Sequence, residues 1–175
     1  VPYFKRYYVT NEYGLSMECE APKCSAPNLG NVMYEYCNFI HTDMEDIKKG
    51  RVTPNWIDDL QENEVFVFGS NLAGMHGGGA ARVAHRRFGA IMGKGVGMQG
   101  RSYAIPTMQG GTETIRPYVD DFIAYAKEHP ELTFLVTPIG CGIAGFEPED
   151  IAPLFKEACN VSNIWLPESF WKELD

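Results

Sequence analysis

Residues 71–79 combine residue types that could hold a phosphate group. The segment reads Asn-Leu-Ala-Gly-Met-His-Gly-Gly-Gly, and three consecutive glycines let ligand atoms approach the backbone closely. A strand is predicted just before this first loop, at residues 65–68, and a helix just after it, at residues 80–88. Because a helix N-terminus carries unpaired N–H groups and a partial positive charge, we expect the first loop to bind an anion. A flexible turn is the alternative.

Residues 140–146 repeat the arrangement. They read Gly-Cys-Gly-Ile-Ala-Gly-Phe, after a predicted strand at residues 133–139 and before a helix that opens with Glu147 and Pro148. Two strand–loop–helix units of this kind bring two helix N-termini to one edge of a sheet, which suits a diphosphate. No Gly-Lys-Ser/Thr sequence and no dinucleotide fingerprint follows either loop, which disfavours kinases and dehydrogenases.

Two side chains in these loops could take part in a reaction. His76 could contact a phosphate or carry a proton, as histidine side chains do at many reactive sites, although most loop histidines have no chemical role. Cys141 precedes a predicted helix start, an environment that can lower the pKa of a thiol. A nucleophilic cysteine needs a base, and the sequence shows no Cys–His pair. A small residue that simply fits a tight loop is the alternative for Cys141.

The N-terminal third offers a candidate metal site in Cys19, Cys24, Cys37 and His41. The spacings fall within the range of small zinc sites, but the intervening residues lack the apolar pattern of a zinc finger. Five cysteines, an odd number, do not indicate a disulfide framework. We therefore favour independent thiols in a reducing compartment and assign no metal and no cofactor.

The overall charge bears on partners. A net charge of −8 opposes binding to nucleic-acid backbones, so a nucleic-acid partner is not expected. Five basic residues after the first loop either draw an anionic ligand or form a solvated helix face; they are Arg82, Arg86, Arg87, Lys94 and Arg101. No apolar run is long enough for a membrane span, and residues 1–8 lack the apolar stretch of a secretory signal. We expect a cytoplasmic protein without a membrane partner.

Apolar periodicity predicts the elements that position the loops. Continuous apolar runs predict strands at residues 65–68, 103–105, 133–139 and 163–166. Helices between them are predicted from apolar faces that include Ile115, Val119 and Phe122 in one case and Ile151 and Leu154 in another. Weaker signals predict a strand at residues 3–9 and a helix from residue 53 to residue 60. The alternation favours an α/β fold with a largely parallel sheet.

Together the two loops resemble those of the macrodomain family, whose modules bind ADP-ribose and in many members remove or process it. An apolar strand followed by Asn71, the glycine run 77–79 and His85 in a helix is similar to the family's first motif. Residues 141–146 are similar to its second motif, Ser-Thr-Gly-Ile-Tyr-Gly followed by an aromatic residue. The resemblance covers residues 64–167.

The resemblance implies an α/β/α sandwich of three layers with a mixed central sheet. Length and composition predict one compact unit, in which residues 53–175 form the ligand-binding domain and residues 1–52 form an N-terminal extension of unassigned function packed on it. The implied ligand residues are Ser70, Asn71, Leu72, Gly77, Gly78, Gly79, Ala80, Gly140, Cys141, Gly142, Ile143, Ala144, Gly145 and Phe146.

In the resemblance Asn71 contacts the distal ribose, and Asp58 or Asp59 lies near the acid that holds adenine without matching its motif. Hydrolytic members often have a water-orienting acid where this chain has Ala81. The leading expectation is therefore binding of ADP-ribose or a related nucleotide, free or attached to a protein. The alternatives are a hydrolase of ADP-ribosyl esters or of ADP-ribose 1''-phosphate, with catalytic roles for His76 and Asn71, and a protein-interaction domain that binds no nucleotide.

Overall fold

The computed structural model describes residues 6–10, 16–20 and 50–174. The chain divides into two compact units, residues 1–50 and 51–175, where composition predicts one. In the first unit, β1 (Arg6–Thr10) pairs with β2 (Ser16–Glu20) in an antiparallel ladder. β1 overlaps the strand predicted at residues 3–9 over residues 6–9, and residues 3–5 lie outside the described residues.

The second unit is built on a six-stranded mixed sheet, so the α/β prediction is confirmed. Its strand order is β3-β8-β7-β4-β6-β5. Neighbouring strands are parallel except β5, which is antiparallel to β6. The strands are β3 (Val52–Thr53), β4 (Glu64–Ser70), β5 (Gly97–Gln99), β6 (Ser102–Pro106), β7 (Thr133–Val136) and β8 (Ile164–Pro167).

Four α-helices and one 3₁₀ helix are described in this unit. They are α1 (Gly79–Arg87), α2 (Thr112–Glu128), α3 (Pro148–Ile151), the 3₁₀ helix Ala152–Asn160 and α4 (Glu168–Glu173). The apolar face predicted at residues 151–158 is therefore divided between a short α-helix and a 3₁₀ segment. Among the described residues, no helix is long and apolar enough to cross a membrane.

Alternate side chains of the strands belong to two separate hydrophobic clusters, as the two-residue period of a strand requires. Val65 and Val67 of β4 pack in a cluster with the buried face of α2 and the 3₁₀ helix. Phe66 and Phe68 belong to a second cluster with α1. Residues 65–68 of β4 are all apolar and buried because both faces of this strand are covered.

The prediction of a helix in the segment before β4 is wrong. No helix forms at residues 53–60; β3 pairs in parallel with Leu166 and Pro167 of β8, and the residues after it form bends and coil. Local side-chain bonds favour these bends, since Asp59 Oδ1 accepts a hydrogen bond from the Leu60 N–H at 2.8 Å. Val52 belongs to this sheet, and the compact unit that contains it spans Arg51–Asp175.

Candidate ligand-binding cleft

The carboxyl ends of β4, β6 and β7 lie at one edge of the sheet because the three strands are parallel. The loops that follow them surround a cleft of about 300 Å³. Its lining consists of Gly69, Ser70, Asn71, Met75, Gly78, Gly79, Ala80, Ala81, Thr107, Met108, Thr137, Pro138, Ile139, Gly140, Cys141, Gly142, Ile143 and Ala144. The two glycine-rich loops therefore meet at a single cavity, as their order in the sequence predicts.

In the first loop, Asn71 shapes the backbone. Its side-chain Oδ1 accepts a hydrogen bond from the Met75 N–H, and its Nδ2 donates to the Met75 carbonyl, both at 2.9 Å. The Gly74 N–H donates to the Asn71 carbonyl at 2.9 Å. Both polar atoms of the Asn71 side chain thus hold a turn over residues 71–75, and this turn sets the position of the glycines that follow.

His76 is buried beneath the first loop, with 1% of its surface exposed, and does not line the cleft. Its Nε2 lies 3.0 Å from the Ile91 carbonyl and 3.1 Å from the Lys94 carbonyl. Because both partners are acceptors, Nε2 carries the proton. The predicted contact of His76 with phosphate has no support in this position; the ring instead joins the first loop to residues 91–94.

The segment at residues 91–96 packs closely against the first loop. Ser70 Oγ donates a hydrogen bond to the Gly95 carbonyl, and the Gly93 N–H donates to the Gly74 carbonyl at 2.9 Å. A Cβ atom on Gly95 would lie 2.0 Å from the Asn71 carbonyl oxygen, so only glycine allows this approach. The first loop is therefore held from below by a second segment of the chain.

The N-terminus of α1 opens into the cleft. Its N-cap residue is Gly78, in an extended conformation at φ −149° and ψ 167°, and a glycine has no side chain with which to cap a helix. The N–H groups of Gly79, Ala80 and Ala81 make no hydrogen bond to another described residue. These three residues all line the cleft, so their N–H groups are available to a bound anion.

The second loop folds on itself around Gly140, whose φ of +74° favours glycine. The Cys141, Gly145 and Phe146 N–H groups donate to carbonyls at residues 138, 142 and 140. The N–H groups of residues 142–144 make no hydrogen bond to another described residue. Ile143 reaches across to the first loop, its Cδ1 lying 3.3 Å from the position of a Cβ added to Gly78.

The helix after the second loop does not provide the expected second anion site. α3 has four residues, and its N-terminus is closed by a capping box in which the Glu147 and Asp150 side chains accept backbone hydrogen bonds. The two carboxylates place negative charge where the sequence analysis predicts a phosphate. Of the two glycine-rich loops, only the first is therefore followed by a helix whose N-terminus is not closed by acidic side chains.

The same carboxylates affect Cys141. Burial raises the pKa of its thiol, and the charges of Glu147 and Asp150 raise it further. The expectation of a lowered thiol pKa is wrong, because the helix N-terminus is already occupied by acidic side chains. Cys141 lines the cleft as a neutral thiol at physiological pH.

Several predicted ligand residues lie outside the cleft. Ser70, Asn71, Gly78, Gly79, Ala80 and residues 140–144 line it, whereas Leu72, His76, Gly77, Gly145 and Phe146 do not. Phe146 is a partly buried residue that packs against the larger hydrophobic cluster.

The charged residues considered in the sequence analysis are not part of the cleft lining either. Arg87 in the last turn of α1 binds Asp58, with Nη1 3.4 Å from Oδ1, so Asp58 is near the opposite end of the helix from the cleft. Arg101 donates to the Leu60 carbonyl at 2.6 Å, and Lys94 donates to the Met98 carbonyl at 2.7 Å. This geometry supports neither recognition of adenine by Asp58 nor attraction of an anionic ligand by these basic side chains.

The loop after β6 also contributes to the cleft, and the pattern of residues in the two glycine-rich loops does not predict this. Thr107 and Met108 line the cleft, as do Thr137 and Pro138 directly after β7. The sequence contains a signal for this loop, because the strand β6 is followed by Gly110 and Gly111 and then by a helix. A parallel strand adjacent to β4 brings its own loop to the same edge.

The structure does not describe the side chains of the four predicted zinc ligands. Cys24, Cys37 and His41 lie outside the described residues, and of Cys19 the structure describes only the backbone in β2. In the part of the chain that is described, no three His, Cys, Asp or Glu side chains are grouped to hold a metal ion.

Comparison of the chain with protein-family models, curated proteins and solved structures gives no match.

Proposed function

We propose that residues 51–175 form a macrodomain-like module that binds ADP-ribose or a related nucleotide diphosphate, free or attached to a protein. The observation that carries the proposal is the uncapped N-terminus of α1 at a cleft that is also lined by residues 142–144, whose N–H groups make no hydrogen bond to another described residue. One phosphate would lie on the first turn of α1, and the second would accept hydrogen bonds from the second loop. The helix dipole and the backbone N–H donors can bind both phosphates without basic side chains. Such binding is compatible with a chain whose net charge is −8.

The proposal includes the three-layer α/β/α architecture that the resemblance implies. Two observations support it: alternate strand residues pack into different clusters, and α1 contributes to one cluster while α2 contributes to the other. A cleft at the carboxyl ends of parallel strands is also where open α/β folds bind ligands.

Binding is proposed in preference to hydrolysis. None of the described residues that line the cleft is an Asp, Glu, His, Lys or Arg. The position that would carry a water-orienting acid is Ala81, which lines the cleft, and the thiol of Cys141 has a raised pKa. The lining side chains therefore offer no general base at neutral pH.

The decisive experiment replaces Gly78 with serine. The backbone of Gly78 has the extended conformation of an N-cap residue, so the hydroxyl of Gly78→Ser would accept a hydrogen bond from the first turn of α1 and occupy the proposed phosphate donors. We expect unchanged or slightly increased stability in thermal unfolding. We expect the affinity for ADP-ribose, measured by calorimetry, to fall by at least about tenfold, the equivalent of one charge-assisted hydrogen bond.

Gly77→Ser is the matched control. A Cβ on Gly77 meets no atom within 4 Å, and Gly77 does not line the cleft, so its affinity should equal that of the unaltered protein. Equal affinities in the two variants would place the phosphate elsewhere. An absence of binding heat for ADP-ribose and for ribose 5-phosphate in the unaltered chain would refute the function itself.

A further inference from the structure

Three exposed apolar side chains stand at the cleft, each from a different loop. Met75 is 64% exposed, Met108 is 50% exposed and Ile143 is 77% exposed. They follow β4, β6 and β7 respectively, and all three line the cleft. Because β4 lies between β6 and β7 in the sheet, Met108 and Ile143 stand on opposite sides of the first loop. We name these three residues the apolar rim.

The cleft is too small to enclose a whole nucleotide sugar. Its volume of about 300 Å³ is at the lower limit of roughly 300–1,000 Å³ for ligand pockets. If the phosphates lie on α1 and the second loop, at least one ring system of the ligand extends past the cleft, where the apolar rim is exposed. Methionine and isoleucine side chains pack on aromatic faces, and methionine sulfur makes favourable contacts with aromatic rings.

The polar side chains of the lining are already engaged within the protein. Both polar atoms of the Asn71 amide bond the Met75 backbone. The Thr107 hydroxyl donates to the Ser70 carbonyl at 3.4 Å, and the Thr137 hydroxyl donates to the Val67 carbonyl at 2.7 Å. These hydrogen bonds hold the three side chains against the backbone of the protein, so that they are less available to read the edge of a base.

We infer that the apolar rim holds the base of the nucleotide by its flat faces and does not read its edge, so that the site accepts different bases on one ribose diphosphate. This inference rests on the proposed function and specifies its ligand class: a purine nucleoside diphosphate ribose, selected for its sugar and phosphates. Burial of the rim against a base also explains why three apolar side chains are exposed around one cleft.

The test is a calorimetric titration of the full chain with four ligands. Adenosine, inosine and guanosine diphosphate ribose are expected to bind with affinities within about threefold of one another, because a base held only by its faces contributes similar stacking in each case. Ribose 5-phosphate, which lacks the base together with one phosphate and one ribose, should bind at least about tenfold more weakly, and the methionine variants below show how much of this difference is due to the base. A difference above about tenfold among the three bases, or equal binding of ribose 5-phosphate, would overturn the inference.

Variants separate the rim from the phosphate site. Met75→Ala and Met108→Ala should each weaken binding of adenosine diphosphate ribose by roughly two- to tenfold without changing the affinity for ribose 5-phosphate. Leu72→Ala is the control, since Leu72 is 51% exposed in the same loop as Met75 and does not line the cleft. Unchanged affinity in both methionine variants would also overturn the inference. Failure of every ligand to bind would instead refute the proposed function.

Discussion

Replacement of His76 separates a structural role from a chemical one. The ring is 1% exposed, it lies edge-on to Phe68 with the ring centroids 5.3 Å apart, and its Nε2 is shared between the Ile91 and Lys94 carbonyls. We therefore expect His76→Ala to destabilise the protein and to loosen the first loop, and His76→Gln, which keeps an amide donor, to restore much of both.

The magnitude follows from what the alanine variant loses. A shared hydrogen bond contributes about 1 kcal/mol. The vacated space costs a further ~1–3 kcal/mol. Both carbonyls keep a second partner, since the Ile91 carbonyl accepts from the Lys94 N–H at 3.1 Å and the Lys94 carbonyl accepts from Gln99 at 3.0 Å. His76 Nδ1 is buried with no described partner, and its removal relieves about 1 kcal/mol. The free energy of unfolding of His76→Ala is therefore expected to be about 2 kcal/mol lower than that of the unaltered protein.

Urea unfolding of the full chain measures this difference, and ADP-ribose titration measures the consequence for the cleft. The control is His85→Ala, because His85 is exposed and makes one hydrogen bond, from Nδ1 to the Ala90 carbonyl at 2.7 Å; its cost should stay below about 1 kcal/mol. A His76→Ala protein of unchanged stability but weakened ADP-ribose binding would refute the reasoning, since it would mean that the ring acts on the ligand directly.

Two further predictions concern the cleft lining. Burial and the charges of Glu147 and Asp150 raise the pKa of the Cys141 thiol, so less thiolate is present at any given pH. Alkylation of Cys141 at pH 7, followed by peptide mass spectrometry, should therefore be slower than alkylation of a free thiol, and it should accelerate only above the ordinary pKa of a thiol. A rate equal to that of free cysteine would contradict this prediction. Asn71→Ala should weaken ADP-ribose binding while the fold persists, and Asn71→Asp, which places a carboxylate beside the Met75 carbonyl and a negative charge in the cleft lining, should weaken it at least as much; full affinity in the alanine variant would count against the role of Asn71.

The strands and the meeting of the two loops were predictable because their signals are local. A run such as that of β4, with Val65 to Phe68 all buried, needs no long-range information, since a strand with apolar side chains on both faces must be covered on both faces. Once such strands are parallel, their carboxyl ends share an edge, and the loops that follow them are neighbours.

The roles of individual polar residues were less accessible because they depend on distant partners. His76 looked available for chemistry as one residue of a glycine-rich loop, and only its contact with residues 91–94 shows that it is buried. Asp58 looked close to the ligand in sequence, but its pairing with Arg87 places it near the last turn of α1. A side chain's distance from a site along the chain does not determine its distance in space.

The two loops have the same order of strand, glycines and helix, yet they differ in the one residue that decides whether a helix terminus can bind an anion. Gly78 leaves the first turn of α1 uncapped, whereas Glu147 and Asp150 close the first turn of α3 with their own carboxylates. This difference was visible in the sequence, because an acid at the N-cap followed three residues later by another acid forms a capping box. The charge of any phosphate ligand is therefore best matched at the first loop, and the second loop is limited to donating backbone hydrogen bonds. On this argument, substitution at Gly78 should affect binding of the phosphate more than any single change in residues 142–144.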